Sequence, residues 1–182
     1  MKLPANPVIE TARLRMRIVE KGDLPALMGA HGHSEAVRYI PYEPWKTLAD
    51  AEAWYKKAEG RIAAGEALQF VITEKDGARV VGTMVLFNFN EGAKCAEIGY
   101  LLAPETWSRG YMKEAIPAVV RFAFGTLGLE RLDAKIDPRN AASGVVLERA
   151  GFKKEGHQRK NYFAKGEVSD TGLYGLLKED AK

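Results

Sequence analysis

The chain has one cysteine, Cys95, in 182 residues. No internal disulfide can form, and so sparse a use of cysteine fits a reducing compartment. It has only three histidines. His31 and His33 flank one glycine and His157 is distant. They lack the spacing of a metal site, so structural or surface roles are assigned to them and no metal is expected. Charge of one sign is scarce as well: 27 Lys and Arg against 24 Asp and Glu give a net charge of +3. That excess is too small to argue for a nucleic-acid partner, though it suits a small anionic ligand. There is no run of 18 apolar residues, which argues against a membrane helix. The opening MKLPANPVIE has no apolar core of a secretion signal, so a cytoplasmic location is expected. The sequence also lacks both G-x-G-x-x-G and the Walker phosphate loop.

What remains is a chain 46% hydrophobic and 28% charged, the balance of a globular protein. Residues 1–182 are read as one domain, with no repeat or linker. Arg13 to Ile18 alternates arginine with apolar residues, as a half-buried strand does. Asp23 is placed as the cap of a short helix through Ala30, and a further short helix and irregular loop are expected in HSEAVRYIPYEPW. Thr47 and Asp50 have capping-box spacing at the head of TLADAEAWYKKAEGRIAAG, and Gly65 follows its last turn. Strands are expected at Gln69–Thr73, Arg79–Phe87 and Ala96–Leu102, the first two joined by a turn at Asp76-Gly77. Met112, Ile116, Val119, Val120, Ala123 and Leu127 form one helical face, interrupted by Pro117, where a kink or irregular turn is expected. A strand at Leu132–Ile136, a helix at Asn140–Gly151 and strands at Phe152–Tyr162 and Gly172–Leu177 complete the pattern. Strands and helices in this order describe an α/β (α+β) fold: a mixed central sheet flanked by helices.

In NAASGVVLERAGF, Asn140 is a good helix cap and Gly151 a good left-handed stop. Ser143 is not needed for either purpose, and serine is a mediocre residue inside a helix. N-x-x-S-x-x-x-L-E-x-x-G-F after a strand resembles the late motif of the GNAT superfamily of N-acetyltransferases. More narrowly, it is similar to the branch that acetylates ribosomal-protein N-termini. ETARLRMR resembles that branch's opening strand, AEIGYLLAPETWSRGYMKEA its acetyl-CoA motif and GEVSDTGLYGLL its closing strand. Together these pieces extend the resemblance over nearly the whole chain.

The resemblance implies a single-domain acyl-CoA N-acyltransferase fold. It implies that Trp107, Ser108, Arg109, Gly110, Tyr111, Met112 and Lys113 form the loop and helix start that cradle the pyrophosphate of acetyl-CoA. A helix N-terminus has free N–H donors and partial positive charge, Gly110 allows close backbone approach, and Arg109 and Lys113 add charge. Met112 stands where the family pattern has a small residue, and its side chain bears on the room in the loop. Backbone N–H groups near Leu101 and Leu102 are implied to hold the pantetheine and the thioester carbonyl, and Asn140 to contact coenzyme A besides capping its helix. The tyrosine that donates a proton in many relatives falls at Leu147, which leaves Ser143 to serve the departing sulfur.

Glu97 is the candidate base: alternation places it with Cys95, Gly99 and Leu101 on one strand face, and a carboxylate in so apolar a strand calls for a reason. The alternatives are an exposed or ion-paired strand glutamate, or action through water. The resemblance implies that the early region carrying Tyr39, Tyr42, Trp45 and Trp54 covers the acceptor side, with the loop KNYFAKGEVSD as the opposite wall; Tyr39, Tyr42 and Trp45 are assigned to the acceptor site, the alternative being plain core, which is favoured for Trp54. Cys95, with no histidine nearby, reads as a small core residue, so direct transfer in a ternary complex is favoured over an acetyl-enzyme. Three functions follow: an acetyltransferase for a protein N-terminus, one for a small amine such as an amino acid, polyamine or antibiotic, and a non-catalytic coenzyme A binding module. Many relatives form dimers, so a homodimer is among the assemblies the resemblance allows.

Overall fold

The computed structural model describes residues 2–181. In chain order the elements are β1 (Val8–Glu10), β2 (Leu14–Ile18), α1 (Leu24–His31), α2 (Leu48–Ala63), β3 (Ala67–Glu74), β4 (Val80–Asn90), β5 (Cys95–Leu102), α3 (Tyr111–Arg121), β6 (Arg131–Ile136), α4 (Ala141–Arg149), β7 (Lys153–Ala164) and β8 (Glu167–Leu177). The strands make one eight-stranded sheet in the order β1-β2-β3-β4-β5-β6-β8-β7.

Strand alternation sends successive side chains to opposite faces. Phe70 and Ile72 of β3 join Leu14, Met16, Met84 and Ile98 beneath Ala115, Ile116 and Val119 of α3 and Leu147 of α4. Val71, between them, faces the other way and packs with Leu24, Leu27, Trp45 and Ala51 on the α1–α2 side. Leu101 extends that second face against Ala30 and Val37. This is the expected mixed sheet flanked by helices.

The Thr47–Asp50 capping box forms, and Gly65 and Gly77 adopt positive φ where turns were expected. Asn140 Oδ1 accepts from Ser143 N at 3.2 Å, and Gly151 is left-handed at φ 97°. Other expectations need correction. Asp23 stands at the N-cap position of α1 as expected, but its side chain makes no cap bond; its carboxylate is held by Arg17 and by the Glu20 N–H. The segment after His33 forms successive turns and no helix: one bond from Val37 N–H to the His33 carbonyl is followed by shorter closures, Arg38 to Glu35 and Ile40 to Val37. β1 was not foreseen, being three residues long. α3 remains helical through Pro117, then changes to a π-turn at Phe122–Thr126. The final two strands form a long hairpin, with KNYFAKGEVSD as strand and tight turn rather than loop.

Neighbouring strands are antiparallel except β5 and β6. These two are parallel and pair only at Cys95↔Arg131, Ala96↔Leu132 and Glu97↔Asp133. Beyond that point β5 stays with β4 as far as Leu102, while β6 stays with β8 as far as Ile136. The sheet therefore opens into a cleft, and backbone groups of β5 that face β6 past Glu97 have no strand partner. β4 crowds the end of β5 closely, since a Cβ on Gly82 would overlap the Leu101 carbonyl.

Candidate active site

A cavity of about 670 Å³ lies where the cleft meets the α1–α2 face of the sheet. Gln69, Thr83, Val85, Phe87, Glu97, Gly99 and Leu101 form its floor. One wall is the turn segment Arg38 to Tyr42, and the other is the β7–β8 hairpin, including Asn161, Tyr162 and Lys165. The early aromatic segment and the late segment thus face each other as expected.

Glu97 reaches this floor with 12% of its side chain exposed and accepts from Lys135 Nζ at 3.0 Å and Asn88 Nδ2 at 3.2 Å. It is both cavity-facing and ion-paired. Gly99 lies between Glu97 and Leu101 on the same strand face, so no side chain rises between them. Along a strand, two residues span about 7 Å; the seat over Gly99, one such step from either neighbour, is narrow, since a Cβ there would meet Val85 Cγ1 at 3.2 Å and Phe87 Cε1 at 3.6 Å.

Ser143 is 9% exposed, and its Oγ lies 2.8 Å from Tyr100 Oη. Tyr100 lines the cavity through the cleft, so it joins the acceptor side to α4. Burial pushes its phenol up to about 12, and the bond to Ser143 only partly offsets this. The hydroxyl keeps its proton at neutral pH. Tyr100 was missed in the sequence because alternation assigns it to the face opposite Glu97; access arises only because β5 and β6 separate. Leu147 is fully buried core.

The turn after β5 is bent by left-handed Ser108 and Gly110, and no side chain caps the start of α3. Arg109 and Lys113 are exposed and in no ion pair among the described residues. Met112 points into the core at 7% exposure and does not crowd the loop. The Tyr111 side chain is also inward, its hydroxyl donating to Glu74, so only its backbone faces the loop. Trp107 Nε1 donates to the Leu102 carbonyl at 3.0 Å, closing the turn onto the end of β5.

Tyr39 and Tyr42 line the cavity. Trp45 does not: it is 6% exposed and stacks on His31 with ring centroids 4.1 Å apart, supporting the wall from behind. Trp54, assigned to the core, does pack against the cluster around Trp45, and its other side reaches the cavity. His31 is buried, with Nδ1 2.7 Å from Tyr42 Oη and Nε2 3.3 Å from Thr83 Oγ1. Burial holds its ring at about 3, so it is neutral and a poor base at pH 7. Burial, followed by Asp133, pushes the Cys95 thiol up.

An acetyltransferase (GNAT) domain model matches residues 13–153. The chain is 30% identical over 172 residues to an uncharacterised N-acetyltransferase, YoaA, of Bacillus subtilis (strain 168), covering 94% of this chain and 97% of that one. It is 26% identical over 181 residues to the ribosomal protein uS5-alanine N-acetyltransferase of Escherichia coli (strain K12), with 94% and 91% covered. A GNAT-family acetyltransferase structure from Bacillus anthracis superimposes with a TM-score of 0.84 at 26% identity, covering 95% and 99%. The chain belongs to the GNAT family of acetyltransferases. It is an N-acetyltransferase that uses acetyl-CoA. Its residues fit that co-substrate: an uncapped helix start beside two free cations suits phosphates, and the unpaired edge of β5 offers backbone donors. Among the described residues no cluster of His, Cys, Asp and Glu is arranged to hold a metal, and no helix is long and apolar enough to cross a membrane.

Proposed function

We propose that the protein acetylates a peptide or protein α-amine by direct attack within a ternary complex. The observation that carries this reading is the balance of the cavity. All four lining carboxylates, Glu97, Asp137, Glu167 and Asp170, are already paired with Lys, Arg or His. Away from these ion pairs the inner floor is neutral, lined by Gln69, Thr83 and Val85, with His31 spent on Tyr42 and Thr83 within the chain. A polyamine would instead call for free carboxylates.

Acetyl-CoA supplies the activated acyl group. A nitrogen–carbon bond forms, the carbon–sulfur bond breaks, one proton leaves the amine and one is gained by sulfur. The amine sits over Gly99, and Glu97 accepts its proton directly or through water. An α-amine, with a pKa near 8, needs modest help. Backbone donors near Leu101 and Leu102 hold the carbonyl. Ser143, backed by the Tyr100 hydroxyl, gives its hydrogen bond to sulfur. Trp107 to Lys113 and Asn140 hold the rest of the co-substrate, with the phosphates at the α3 start. The raised Cys95 thiol, outside the cavity lining, supports direct transfer over an acetyl-enzyme.

A small-amine acceptor is the second reading, and the paired carboxylates weigh against its polyamine form. The coenzyme A binding module loses its main support because Met112 is turned into the core. The test is thiol release with acetyl-CoA against peptides beginning Ala or Ser and against small amines. Peptide-dependent release is expected; release with small amines alone would overturn the assignment.

A further inference from the structure

We infer that the acceptor carries a carboxylate close to its amine, and that Arg61 selects for it. This rests on the α-amine reading and narrows it. In a peptide the carboxylate is an Asp or Glu side chain just after the reactive residue.

Most charges in the cavity are already satisfied from within the chain. Lys135 and Arg139 are taken up by the lining carboxylates, and Lys165 donates to the Val37 and Arg38 carbonyls. Two lining cations remain in no ion pair among the described residues: Arg38 and Arg61. Each lies over an aromatic ring instead. The Arg61 guanidinium carbon is 5.5 Å from the Phe87 ring centre, and that of Arg38 is 5.4 Å from Tyr39.

Position separates the two. Phe87 is the direct cross-strand partner of Glu97. Directly opposed residues share a sheet face, so Arg61 covers the rung that carries the candidate base. The Gly99 seat is one strand step further, about 7 Å away. In an extended peptide, the side-chain carboxylate of the second residue lies on the order of 7 Å from the N-terminal amine. Arg61 can therefore meet that carboxylate while the amine occupies the seat. Arginine suits this role, because its planar fork matches a carboxylate and ring stacking fixes it beforehand. Arg38 adds a second positive charge on the facing wall. A polycation would meet both charges and find no free carboxylate.

The experiment uses C-terminally amidated peptides that differ only at the second residue, Glu, Gln or Lys after an N-terminal Ala, together with free alanine. Thiol release is measured, and binding to the coenzyme A-saturated enzyme is measured separately by calorimetry. The Glu peptide is expected to exceed the Gln peptide about tenfold in both readouts, with Lys weakest. Arg61→Gln should collapse the Glu/Gln ratio, and Arg61→Glu should shift preference to Lys, an inversion that a merely structural role would not produce. Melting curves of both variants check the fold. Free alanine outperforming the peptides would identify an α-carboxylate as the source of the same recognised group. Equal Glu and Gln values, or a ratio indifferent to Arg61→Glu, would overturn the inference while leaving the acetyl-transfer reading intact. Acid-selective binding without turnover would sink that reading and keep this one; no binding by any acceptor would overturn this one.

Discussion

Lowering the pH should destabilise the protein through His31. The ring is 1% exposed, stacks on Trp45, and is held by Tyr42 and Thr83. Burial lowers it from 6.5 to about 3. Between those values the unfolded chain binds a proton that the folded chain refuses. The stabilisation is therefore full above pH 6.5 and is lost as pH falls towards 3. At 1.36 kcal/mol per unit, the interval of about 3.5 units is worth at most about 5 kcal/mol, and about 1.4 kcal/mol of it is lost between pH 5.5 and 4.5. Total stabilities run to about 5–15 kcal/mol, so the effect is measurable. Urea unfolding followed by tryptophan fluorescence, with Trp45 and Trp54 beside the ring, provides the assay. Carboxylates held low, such as Asp137 by Arg139, add their own acid loss. The readout is accordingly the difference between wild type and His31→Gln. The variant should start less stable and lose less on acidification. Equal pH slopes for the two proteins would refute the reasoning.

Ser143→Ala should lower kcat about tenfold to a hundredfold, and Tyr100→Phe by less. If Tyr100 acts through Ser143, adding Tyr100→Phe to Ser143→Ala should cost almost nothing more; additive losses would break that link. Glu97→Gln should slow turnover most below neutral pH, where more of the amine is protonated, and unchanged pH–rate profiles would remove Glu97 from the mechanism. Gly82→Ala should cost about 1–3 kcal/mol and raise the KM for acetyl-CoA, because the new methyl collides with the Leu101 carbonyl; a wild-type melting curve would contradict this.

Much of the fold was legible because local signals agree with the tertiary result. The Thr47–Asp50 box, the Asp76-Gly77 turn and the Asn140 and Gly151 caps each act within a few residues. Alternation in β3 and β5 separated the two faces correctly, which put Glu97, Gly99 and Leu101 together. The errors share another cause. The cleft follows from β5 and β6 choosing different partners after three paired positions, a long-range competition that no local pattern records. Tyr100 becomes a site residue only through that opening, while Lys135 reaches Glu97 because the β5–β6 register sets both on one face. Trp45 turned inward unforeseen because the irregular segment before α2 has no period from which a facing direction can be read, while Trp54, on α2, both packs against the cluster around Trp45 and reaches the cavity. Met112 looked obstructive as a loop residue, yet as the second residue of α3 its side chain turns to the apolar face.

The most direct test is mass-spectrometric mapping of the product from a peptide with an N-terminal Ala and an internal Lys, incubated with enzyme and acetyl-CoA in the presence of spermidine. One acetyl group is expected on the α-nitrogen, with the Lys side chain and the polyamine left unmodified. Acetylation of the Lys side chain or of spermidine, with the α-amine untouched, would contradict the α-amine assignment.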